Sequence, residues 1–74
     1  MSRLIRMDGN GHSTLAQWSG DSPAAFDAAV AEFRAALDDG YVGVVDHGGG
    51  GATQVRELPR DADLVILRRP IAGG

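Results

Sequence analysis

The sequence predicts an α+β domain in which one mixed β-sheet packs on a single helix, with the elements in the order strand, strand, helix, strand, strand, strand. Three observations carry this expectation. Only one stretch repeats its apolar residues at helical spacing. The apolar runs on either side of it are short and separated by Gly, Pro, Asn and Asp. One late run, Leu64-Val65-Ile66-Leu67, is apolar at every position. A chain of 74 residues has room for one core, and at this size it buries only about 60% of its unfolded surface.

The first two strands flank the signals Asp8-Gly9 and Asn10-Gly11, which tolerate the positive φ angles of tight hairpins. Ser19 to Pro23 then breaks the second strand and prepares a helix. Ser22 is placed to cap the exposed N–H groups, and Pro23 stands where a missing N–H costs nothing. Over residues 23 to 39, Phe26, Ala29, Val30, Phe33 and Leu37 form one stripe, with Asp27, Glu32, Arg34 and Asp38 turned away from it. Gly40 is a natural terminator, and Arg34 is spaced to offset Asp38 at i+4. Residues 41–46 read as a strand, 47–52 as a flexible connection, and 53–58 as a strand whose apolar residues are Val55 and Leu58. Pro59 ends it, and residues 60–63 form a polar bend.

The fully apolar Leu64-Val65-Ile66-Leu67 run belongs at the centre of the sheet, with the first strand beside it. A single helix covers one face only. Trp18, Val45 and either Val65 or Leu67 are the expected apolar residues of the other face, where they would dock a partner.

Composition excludes several function classes. There is no cysteine, hence no disulfide, thiolate metal site or cysteine nucleophile. The net charge is −3, and acidic and basic residues are interleaved, which argues against nucleic-acid binding. All seven basic residues are arginine. Without lysine, no side chain can accept an isopeptide bond or form a Schiff base. The N-terminal apolar run is two residues, which predicts neither a signal peptide nor a membrane span and suggests a cytoplasmic protein. His47 and the four glycines after it lack the Gly-Lys-Ser/Thr of a phosphate loop. His12 and His47 are expected in turns, without the spacing of a metal site. No nucleophile-elbow sequence is present, and the protein is expected not to be an enzyme.

The tail carries more information. Pro70 has no N–H and biases Arg69 toward extended geometry, so residues 70–74 should leave the domain formed by residues 1–69 as a flexible tail. Five extended residues span about 16 Å. Gly73 and Gly74 have no side chains to obstruct entry of the Gly74 carboxylate into a narrow channel.

The element order, followed by Asp61-Ala62-Asp63, the strand Leu64-Val65-Ile66-Leu67 and the ending Pro70-Ile71-Ala72-Gly73-Gly74, resembles the β-grasp or ubiquitin-like fold. The ending is most similar to that of the sulfur-carrier proteins of molybdopterin and thiamine biosynthesis. Ala62 stands where those proteins commonly have glycine, and Asp46-His47 with four glycines replaces their asparagine-centred turn. The resemblance implies a monomeric bacterial carrier or modifier that binds no cofactor and does not act at membranes. An E1-like adenylating enzyme would use ATP to activate the Gly74 carboxylate, for thiocarboxylate formation or transfer to an acceptor protein. Arg68, Arg69, Pro70, Ile71 and Trp18 are the expected partner contacts. The alternative is a non-conjugated interaction or structural module that works through its exposed sheet face.

Overall fold

The computed structural model describes residues 1–9 and 11–69; residues 10 and 70–74 lie outside the described residues. Five strands and one helix follow in the expected order: β1 (Ser2–Asp8), β2 (Gly11–Trp18), α1 (Pro23–Asp38), β3 (Val42–Gly48), β4 (Gly51–Val55) and β5 (Leu64–Arg68). They form one mixed sheet with strand order β2-β1-β5-β3-β4. The most apolar strand, β5, is central, as expected. It runs parallel to β1, with Leu4 beside Val65 and Ile5 beside Ile66, and antiparallel to β3, with Val44 beside Ile66 and Val45 beside Val65.

The helix begins and ends as its sequence dictates. The Ala25 N–H donates to Ser22 Oγ at 3.3 Å, and Pro23 opens the first turn. At the other end Gly40 takes φ +97°. Its N–H donates to the Leu37 carbonyl at 3.1 Å and the Tyr41 N–H to the Ala36 carbonyl at 3.0 Å. This paired closure satisfies carbonyls that the end of a helix leaves free. Arg34 forms no ion pair with Asp38. The helix buries Ala29, Phe33 and Ala36, with Phe26, Val30 and Leu37 at the margins of the core. The outer edge of the Phe33 ring reaches the sheet because Gly43 leaves room for it. A Cβ on Gly43 would stand 2.5 and 2.7 Å from two carbons of the Phe33 ring.

Four expectations are corrected. The connection after β3 is a tight hairpin rather than a flexible loop. Gly48 pairs with Gly51, while Gly49 and Gly50 take φ +58° and +89°, as a two-residue type I′ turn needs. His12 and His47 accordingly lie within β2 and β3 rather than in turns. The following strand is Gly51–Val55 instead of 53–58, and Leu58 drops into the core after the strand has ended.

The fourth correction concerns which residues face away from the helix. Trp18 is only 1% exposed, and Val45, Val65 and Leu67 are also buried. The reason is register. From Asp8↔Gly11 to Ile5↔Thr14 the β1–β2 hairpin pairs regularly, but Leu4 then faces Ala16, so Leu15 is an extra residue in β2. That bulge moves Trp18 opposite Ser2, on the face of Leu4. An unbroken register would have put it opposite Met1 on the open face. Inside, the Trp18 ring meets Phe26 edge to face at 5.8 Å, and its Nε1–H donates to the Arg60 carbonyl at 3.0 Å. Val65 and Leu67 are two residues apart and share one face, and the pairs Leu4↔Val65 and Val45↔Val65 turn that face to the helix.

Candidate functional site

The open face of the sheet follows from the same pairing. Ile66 in β5 has Ile5 of β1 on one side and Val44 of β3 on the other. Thr14 and Gln54 extend this row to the two outer strands. Ile5, Ile66 and Val44 are half-buried although no helix covers them, and Val42 and Leu64 add apolar surface nearby. Arg3 and Arg68 are exposed and alternate with these residues along β1 and β5. Neither arginine forms an ion pair among the described residues. The arrangement is an apolar strip across three strands with positive charge on its border. Its members were recognisable in sequence only as strand residues, because their direction depends on register.

At the end of β5 two adjacent arginines have separate roles. Arg68 stays on the open face and lines a shallow groove of about 440 Å³ with Met7, Asp8, Gly9, Tyr41 and Arg69. Arg69 turns to the helix side. Its guanidinium lies 4.9 Å from the centre of the Tyr41 ring, and Nη2 donates to the Asp39 carbonyl at 3.3 Å and to the Asp39 carboxylate at 3.2 Å. Interaction with Tyr41 first, and attraction to Asp39 second, raises the Arg69 pKa above its ordinary value. Its charge is therefore fixed at every pH at which the protein is handled. Both partners remain mostly exposed, 61% and 68%, so this pair orients more than it stabilises.

The helix cap supplies the anchor. Because Gly40 reverses the chain, Asp39 and Tyr41 flank the turn and meet Arg69, the residue that precedes Pro70. Arg6 approaches the same Tyr41 ring at 5.9 Å. The last described residue is thus tied to the C-terminal end of the helix. Of the expected partner contacts, Arg68 and Arg69 stand together at the end of the central strand. Trp18 has almost no surface left to offer a partner. Pro70, Ile71, Gly73 and Gly74 lie outside the described residues.

Other chemistry is sparse. His47 Nε2 and Thr53 Oγ1 are 2.8 Å apart across the β3–β4 hairpin, and Asp46 Oδ1 accepts from the Gly48 N–H at 2.8 Å. Both contacts brace the glycine turn. Among the described residues no three His, Asp or Glu side chains gather as a metal site would require, and no helix is long and apolar enough to cross a membrane. Comparison with protein-family models, with curated proteins and with solved structures finds no match to this chain.

Proposed function

We propose that this protein is a β-grasp, ubiquitin-like carrier or modifier whose Gly74 carboxylate is activated by an adenylating enzyme and then passed on as a thiocarboxylate or to an amine. The observation that carries the reading is the strand order β2-β1-β5-β3-β4 with a single helix on one face. In this arrangement the last strand is central and held on both sides, and it leads straight into Arg69, Pro70 and the glycines. A rigid body with a short tail beginning at a fixed point suits delivery of a carboxylate to another protein's active site.

The chemistry belongs to the partner. The carboxylate attacks the α-phosphate of ATP, pyrophosphate leaves, and a sulfur or amine nucleophile then displaces AMP. The reading requires Gly74 to hold the free carboxylate, as translated or after trimming. Intact mass spectrometry of the protein from its native cells reads this directly, together with any exchange of oxygen for sulfur. Adenylate formation with native extract and ATP, lost on deletion of Gly73 and Gly74, is the expected result. An unmodified carboxylate under all conditions, with no adenylate, would sink the proposal.

One observation favours a second reading, a non-conjugated interaction module. The strip Ile5, Ile66 and Val44 is apolar, lies on the face away from the helix and is bordered by Arg3 and Arg68, which form no ion pair among the described residues; it fits an apolar partner surface with an acidic rim. The two readings separate cleanly. Ile66→Asp should abolish partner capture in the second reading and leave adenylation intact in the first, whereas removal of the two glycines abolishes adenylation in the first and leaves capture intact in the second.

A further inference from the structure

We propose that the outer edge of β4, with the groove between α1 and residues 56–58 that follow β4, is a docking site for an extended peptide that alternates apolar residues and carries acidic ends. This surface is on the helix side of the sheet. It is separate from the open face, and the proposal holds whether or not Gly74 is activated.

Three independent observations meet here. The first is an unprotected edge. Among the described residues β4 pairs only with β3, and its sequence Gly51-Ala52-Thr53-Gln54-Val55 has no charge and no proline. The opposite edge, β2, is interrupted by its bulge at Leu15. Natural sheets usually blunt an exposed edge with charge, proline or a bulge, and β4 uses none of these along Gly51–Val55.

The second is a groove where the chain leaves that edge. Phe26, Val30 and Phe33 of α1 and Leu58 of the segment after β4 line an open volume of about 240 Å³. That is below the roughly 300 Å³ at which small-molecule sites begin, and it fits one or two side chains instead. Thr53 pairs with Val45 and Val55 with Gly43, so both point to the helix side. A strand added to β4 would place alternate side chains beside Thr53 and Val55, and its end beyond Val55 would meet this groove.

The third is charge. Arg34 and Arg56 border the groove, Arg60 stands 5.1 Å from the centre of the Phe26 ring, and Glu57 is the one carboxylate lining it. None of these arginines forms an ion pair among the described residues. Asp27 and Asp38 lie on the same helix without lining the groove. On a chain of net charge −3, a groove lined by two arginines against one carboxylate, with Arg60 nearby, selects acidic flanks. A second copy is a poorer occupant. Antiparallel pairing of two β4 strands about Thr53 sets Gly51 opposite Val55, and glycine has no side chain to fill the groove.

The test uses the full chain and the capped peptide acetyl-Asp-Val-Thr-Val-Thr-Val-Asp-amide, followed by amide hydrogen exchange and NMR shifts. Protection at alternate amides of Gly51–Val55, with shifts at Val30 and Phe33, is expected. Methylating the pairing-side peptide nitrogens should weaken binding at least tenfold. Replacing both peptide aspartates by lysine, or introducing Arg56→Glu into the protein, should weaken it at least fivefold. No binding at millimolar peptide, equal binding of the methylated peptide, or changes confined to β2 or the open face would overturn the proposal. Concentration-dependent self-association that protects β4 without peptide would overturn it in favour of a second copy.

Discussion

Gly43 shows how one missing methyl group sets the distance between helix and sheet. The Phe33 ring occupies the space a Cβ would need, at 2.5 and 2.7 Å, and Phe33 is itself buried and cannot swing away. Gly43→Ala should therefore cost about 1–3 kcal/mol by overpacking, measured as a shift in urea unfolding midpoint. Trp18→Phe tests a different term. It keeps the ring near Phe26 but removes the donor to the Arg60 carbonyl, and should cost about 1–3 kcal/mol by the same measurement. Arg69→Ala should leave the unfolding midpoint nearly unchanged, since the guanidinium is exposed, while slowing any reaction of the tail that depends on its starting point. The composition around these residues was plain in the sequence. The aim of each side chain was not.

At the scale of elements, the helix was the most legible part of the chain. Its stripe, its Ser22 cap, its Pro23 start and its Gly40 stop are local signals, and each was met in the structure. Ser22→Ala should lower stability by about 0.5–2 kcal/mol through loss of the cap. Gly40→Ala should lower it by about 1–2 kcal/mol, because a side chain at φ +97° is strained. Circular dichroism during urea unfolding measures both. The strands were less legible at their ends. The four glycines after His47 looked like a slack connection, since glycine permits many conformations. Here pairing of β3 with β4 selects one of them, and the turn becomes part of a continuous hairpin.

For the whole molecule, the carrier reading and the interaction reading place function on different parts of one body. Lack of lysine adds a prediction to the first. Any amide-linked self-conjugate must join through the N-terminal amine, and chemical blocking of that amine should abolish it as read by intact mass. The second predicts that Ile66→Asp leaves the fold intact, since Ile66 lies outside the helix-side core, while partner capture is lost. Unchanged capture by that variant would remove the open face from consideration.

The sequence by itself determined the number, kind and order of the elements, the helix limits and the central place of the last strand, because these rest on periodicity, capping and turn chemistry within a few residues. Tertiary structure alone decided which apolar residues became core and which became surface. A strand's side chains alternate, so one extra residue reverses everything beyond it. The bulge at Leu15 is that residue. It turned Trp18 from an expected docking side chain into the largest side chain of the core, and no local signal in Ser13-Thr14-Leu15-Ala16 announces it. The choice is made by fit of the large ring against Phe26 and the Arg60 carbonyl, partners supplied by segments distant along the chain.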